Sequence, residues 1–152
     1  MSFFSALRTS ASGLTAQRLR MDLISNNIAN AETTRTDAGG AYRRQMALFS
    51  PKSDRNVPFF KLLRGDAQPG GAAGSSVEGV QTLRIVEDQA PMRMVYDPAH
   101  PDANADGYVE YPNVNPITEM TDMLSATRSY EANVTVLNAA KAMAQRALDI
   151  GR

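Results

Sequence analysis

The stretch NPITEMTDMLSATRSYEANVTVLNAAKAMAQRALDIG, residues 115–151, decides the fold. Between Pro116 and Gly151 it holds neither glycine nor proline. At ~1.5 Å of rise per residue, Ile117 to Ile150 predicts a helix of roughly 50 Å. Asn115 suits the N-cap, Pro116 the first helical position and Gly151 the closing cap. Glu119 and Asp122 near the start, with Lys141 and Arg146 towards the end, complement the helix dipole. Met123, Thr127, Tyr130, Val134, Leu137, Lys141, Ala144 and Leu148 recur at alternating steps of four and three, the spacing of a narrow packing seam. Ala126, Asn133, Ala140 and Ala147 widen one flank of that seam with small residues, which allows a neighbour to approach closely. The alternating Glu/Lys rows of a solitary two-stranded zipper are missing, so the helix is built to be packed on several sides.

The N-terminal segment repeats the spacing. Phe4, Leu7, Ala11, Leu14, Arg18, Met21, Ser25 and Ile28 follow the same four-three steps and predict a second long helix, from Ser5 to about Asn30. Gly13 weakens it by up to about 1 kcal/mol relative to alanine. Asn26, Asn27 and Asn30 are poor interior residues, because their amides compete for nearby backbone groups. They read first as a C-terminal cap and turn, and second as a polar contact surface. Two matched helices can pair with each other. A pair alone would leave the small-residue flank of the C-terminal helix uncovered, which argues for assembly with other subunits.

The material between the helices is turn-rich. Ala31 to Ala41 reads as loop, and Tyr42 to Phe49 as a strand stopped by Pro51. Phe59, Phe60, Leu62 and Leu63 form an apolar knot, followed by a Gly/Ala/Ser-rich stretch from Gly65 to Gly79. Val80 to Asp88, Met92 to Tyr96 and Tyr108 to Tyr111 read as strands, the last stopped by Pro112. The expected fold is therefore α+β. An axial helix occupies residues 1–34, a small antiparallel β-rich middle domain 35–112, and a second axial helix 113–152. The two helices pair as a coiled coil, and the middle, a unit of three or four short strands too poor in apolar residues for a large core, leans on them.

Composition excludes more than it suggests. Sixteen basic and sixteen acidic side chains balance, without the cluster of cations that nucleic acid would require. The sequence has no cysteine, so no disulfide, thiolate nucleophile or cysteine-ligated metal. No apolar run approaches the ~20 residues of a membrane span. Arg8 interrupts the N-terminal apolar segment, which is not a cleavable secretory signal. Export would have to use a route that reads an uncleaved segment. Asp102-Ala103-Asn104-Ala105-Asp106-Gly107 matches the opening of a calcium-binding EF-hand loop, but Asn113 stands where a bidentate glutamate belongs. A hydrogen-bonded turn is the default reading, with a calcium-binding module the alternative. His100 has no sequence partner, and the adjacent Glu87 and Asp88 point to opposite faces of a strand. There is no phosphate loop and no nucleophile motif, so neither an enzyme, a cofactor nor a small-molecule substrate is expected.

Two terminal motifs are similar to a known family. Leu14-Thr15-Ala16-Gln17-Arg18-Leu19-Arg20-Met21 followed by Ser25-Asn26-Asn27-Ile28-Ala29-Asn30-Ala31 resembles the N-terminal signature of bacterial flagellar rod and hook proteins. Tyr42-Arg43-Arg44-Gln45, Val95-Tyr96-Asp97-Pro98, His100 to Val109, Pro112-Asn113-Val114-Asn115 and Glu119-Met120 resemble the proximal rod members of the flagellar basal-body rod family. So do Arg128 to Asn133 and Asn138 to Lys141. The resemblance implies a structural subunit of the basal-body rod, with another axial rod or hook component as the alternative. It implies export through the flagellar type III apparatus and location in the periplasm-spanning rod. It also implies partners among copies of itself, other rod proteins, and ring and export components. Leu7, Leu14, Met21 and Ile28 would then face Met123, Tyr130, Val134, Leu137 and Leu148 or neighbouring subunits. Asn26, Asn27 and Asn30 would bond across a crowded subunit contact.

Overall fold

The computed structural model describes residues 3–37, 39–53 and 77–150. Two long helices bracket four strands. Helix α1 spans Phe3–Ala29 and helix α2 spans Pro116–Ile150. The cap expected at Asn115 forms, with its Oδ1 accepting the Ile117 N–H at 3.0 Å. The helices run antiparallel. Asn27 meets Glu119, and a side chain on Gly13 would come within 3.2 Å of the Asn133 amide. Gly13 therefore makes room for Asn133, which offsets its poor helix propensity.

The phase of the helix seam differs from the sequence reading. The buried residues of α2 are Glu119, Ala126 and Ala140, and the α1 residues buried with them are Ala16, Leu23, Ile24 and Asn27. The row Ala126–Asn133–Ala140, expected to stay uncovered on a flank, is the row that faces α1. Met123, Tyr130, Val134, Leu137 and Ala144 flank it, half-buried. Size sets this arrangement. Small residues on the axis let the backbones approach, and the longer side chains then close over the sides.

The strands form two separate ribbons rather than one sheet. Strand β1, Gln45–Ser53, pairs antiparallel with β2, Val77–Glu87. Strand β3, Arg93–Tyr96, pairs antiparallel with β4, Tyr108–Tyr111. Pro51 does not end β1 as expected but lies inside it, opposite Val80. In a two-stranded ribbon each strand is an edge, so the missing N–H can face outward without breaking a ladder bond. The ribbon carries a bulge: Leu48 pairs with Arg84 and Phe49 with Thr82, which leaves Leu83 unmatched.

The first ribbon lies against α1. Its Val80 N–H donates to Ser12 Oγ at 3.0 Å. Neighbouring Gly79 is buried at φ +111°, and a Cβ there would collide with Ser12 Oγ. Only glycine meets both demands. The second ribbon closes on its own turn. Gly107 adopts φ +79°, and Tyr96 and Tyr108 meet edge to face with ring centres 5.3 Å apart. The apolar knot of Phe59 to Leu63 and nearly all of the Gly/Ala-rich stretch fall outside the described residues.

Candidate assembly site

The residues that hold the parts together meet where α1 ends and α2 begins. Glu119 sits in the first turn of α2 and is 1 % exposed; Asn27, in the last turn of α1, is equally buried. Glu119 accepts a hydrogen bond from Arg44 Nε at 2.7 Å and lies 2.6 Å from a second guanidinium nitrogen. Its other oxygen accepts from Asn27 Nδ2 at 3.1 Å. Asn27 Nδ2 also donates to the Gln45 carbonyl, and Asn27 Oδ1 accepts from the Gln45 N–H and the Tyr42 hydroxyl. One amide thus ties α1 to α2 and to the start of β1. Burial without those partners would cost several kcal/mol, so the cluster is stable only when complete.

A second layer surrounds this clamp. Arg44 lies 3.6 Å from Asp122 and 3.9 Å from Asp88, and Arg20 reaches Asp122 at 3.4 Å. Asn113 Oδ1 accepts the Arg44 N–H, while its amide donates to the carbonyls of Asp88 and Ala90. The hydroxyl of Tyr42 is pushed above its ordinary pKa of 10.0, first by burial and then by the carboxylates of Glu119 and Glu87. A groove of about 270 Å³ runs beside the clamp, between the first ribbon and both helices, lined in part by Leu23, Met46 and Phe49.

Asn27 corrects one expectation. Its amide is used inside the chain, not across a subunit contact. Asn26 is exposed, and Asn30 donates to both oxygens of Asn26, so these two form the expected cap and turn. Leu7, Leu14, Met21, Ile28, Met123, Tyr130, Val134 and Leu137 are half-buried on the single chain; Leu148 is 75 % exposed. Arg44, Tyr42 and Asn113 were absent from the expected site. Each nevertheless lies in a stretch that carries the family resemblance, and folding brings those stretches to one point.

The Asp102–Gly107 turn is occupied by its own bonds. Asp102 accepts from Thr34 Oγ1 at 2.8 Å and lies 3.7 Å from Arg35, tying this turn to the loop after α1. Asn104 Oδ1 accepts from the N–H groups of Asp106 and Tyr108. Asn113, at the calcium-loop position that needs a bidentate glutamate, belongs to the clamp. Among the described residues no three histidine, cysteine, aspartate or glutamate side chains group so as to hold a metal ion. No helix among them is long and apolar enough to cross a membrane.

Comparison with known proteins follows the same two ends. Residues 7–35 match the family model described as flagella basal body rod protein. Residues 105–150 match that of the flagellar basal body rod FlgEFG protein C-terminal region. The flagellar basal-body rod protein FlgC of Borreliella burgdorferi is 48% identical, with 99% of this chain and 98% of that protein covered. The FlgC proteins of Bacillus subtilis and Salmonella typhimurium are 47% and 36% identical, each over 100% of both chains.

Proposed function

Since the chain belongs to the FlgC family of flagellar basal-body rod proteins and is a structural subunit of the proximal rod, we propose that its helix pair builds the shaft. The observation that carries this is full-length likeness to rod proteins, joined to a fold whose two ends are one antiparallel helix unit. Residues 1–34 and 113–152 form the axial unit, and 35–112 are carried on it by the clamp. Leu7, Leu14, Met21, Ile28, Met123, Tyr130, Val134 and Leu137 stand at the rim of the helix pair. Their remaining exposed surface is available to neighbours, as is Leu148 and the polar pair Asn26 and Asn30. The neighbours are copies of the chain and other rod proteins, with ring and export components at the rod's ends. The chemistry is that of packing, and no catalytic role is assigned.

The test is complementation of a strain lacking the native gene. Val134→Asp puts a carboxylate on the rim of the pair, whereas Thr135→Asp places it on the exposed side. Val134→Asp should abolish rod formation and swimming with the protein still secreted, and Thr135→Asp should be milder. Normal swimming with Val134→Asp would remove the rim from the interface.

A further inference from the structure

The turn between β3 and β4 contains the sole histidine of the sequence. The His100 N–H donates to the Asp97 carbonyl at 3.3 Å, and the His100 carbonyl accepts from the Ala103 N–H at 3.1 Å. The side chain adds a third bond, in which Nδ1 accepts the Asp102 N–H at 3.1 Å. The ring is half-buried, its centre 6.4 Å from that of Tyr111. Asp102 in turn ties this turn to the loop after α1, through Thr34 Oγ1 at 2.8 Å and Arg35 at 3.7 Å. The same side-chain bond to the N–H two residues on recurs at Asp88, Asp97, Asn104 and Asn115. It is the ordinary turn bond of aspartate and asparagine. At position 100 an imidazole makes it instead.

That exchange has a chemical consequence. A backbone N–H only donates, so the nitrogen facing it keeps its lone pair. The bond therefore requires the neutral ring with its proton on Nε2. An imidazolium carries a proton on both nitrogens, and Nδ1–H would then point at the Asp102 N–H. Two donors cannot bond, so the ring has to turn away. The charged groups around the ring are Asp97 and Asp102 on its own turn, Arg35 on the loop after α1, and Arg93 on β3, 5.1 Å from the Tyr111 ring. The Asp97 carboxylate accepts the Ala99 N–H, and that of Asp102 is engaged by Thr34 and Arg35. Asparagine at position 100 would keep its acceptor at any pH, whereas an imidazole changes charge between about pH 5 and about pH 8.

We propose that His100 is a positioning residue and a proton-operated latch. Neutral, it holds the Asp102 backbone so that the carboxylate meets Thr34 and Arg35. Charged, it releases that backbone, and the β3–β4 turn loosens from the loop after α1. The latch acts through Asp102 and stands independently of the rod reading.

The test follows the Asp102 amide of the isotope-labelled full chain by NMR, from about pH 8 to about pH 5, where an imidazole changes charge and ordinary carboxylates stay ionised. After correction for intrinsic exchange, hydrogen-exchange protection of this amide in the wild type should fall about fivefold as the ring resonances titrate, the size of one ordinary hydrogen bond. His100→Asn supplies a side-chain oxygen that accepts the same bond without titrating, so its Asp102 amide should stay protected throughout. His100→Phe has no acceptor, and its amide should be unprotected at both ends of the range. A wild-type amide equally protected at both ends, or a His100→Asn chain as pH-dependent as the wild type, overturns the proposal. Should His100→Phe fail to fold, the wild type and His100→Asn decide the question between them.

Discussion

At one end of the helix pair, Asn27, Arg44 and Glu119 join three elements through buried hydrogen bonds. At the other end α2 outruns its partner. The pairs Asn27–Glu119 and Gly13–Asn133 fix a register in which Phe3 lies opposite Met143, and residues 144–150 run on beyond it. Arg146, Ala147 and Leu148 are exposed there. The first end is finished inside one chain, and the second is left uncovered by it. The difference separates two tasks that share a pair of helices. A buried polar cluster fixes angles but tolerates no missing member, while an uncovered apolar end contributes nothing until something is laid on it.

The comparison is broken most severely at Glu119. Glu119→Ala leaves Asn27 and the Arg44 guanidinium without their buried partner. Breaking a buried pair costs ~3–5 kcal/mol in general. Arg44 keeps Asp122 and Asp88 nearby, so the loss should fall near the low end, about 3 kcal/mol. Urea denaturation of the purified chain measures it. A loss below about 1 kcal/mol, the size of one ordinary hydrogen bond, would show that the clamp does not hold the end together.

Tyr42 sharpens the same end with a smaller effect. Its hydroxyl donates to Asn27 at 2.9 Å, and its pKa is raised in the fold. The unfolded chain therefore releases this proton first as pH rises. Stability from the neutral phenol is complete below pH 10.0 and falls as the pH climbs through the folded pKa. Tyr42→Phe should cost about 1 kcal/mol at neutral pH. It should also flatten the decline of stability above pH 10.0. An unchanged alkaline limb in the variant would assign that limb to another group.

The two regions also differ in how far the sequence discloses them. Helix lengths were legible because Pro116 to Ile150 lacks any interior breaker and repeats at helical steps. The phase of the seam was not. Apolar periodicity picks out Met123, Tyr130 and Leu137, whereas the axis is occupied by Ala126 and Ala140 because steric bulk decides approach. The clamp was illegible for another reason. Asn27 and Glu119 are 92 positions apart, and Arg44 and Glu119 are 75 apart. No local pattern joins them, and Glu119 alone reads as an ordinary acidic residue in a first helical turn. Pro51 misled in the other direction, since its stop signal applies to strands with neighbours on both sides.

The smallest effect belongs to the overhang, and its smallness is the point. Leu148 lies in the helix seam but past the start of α1, and it is 75 % exposed on the single chain. Leu148→Ala removes apolar surface that the isolated fold does not bury. Its urea midpoint should correspond to a change within about 0.5 kcal/mol, the range of ordinary surface substitutions. In the rod, a neighbour covering the leucine would contribute up to about 2 kcal/mol per copy. The variant should therefore keep its stability in solution and lose much of its incorporation into basal bodies, measured as the ratio of rod-bound to secreted protein. A drop of more than about 1 kcal/mol in the isolated chain would mean that the overhang already packs within its own subunit. Full incorporation would mean that no neighbour covers Leu148, and the contrast between a finished and an unfinished end would then have to move to residues nearer Met143.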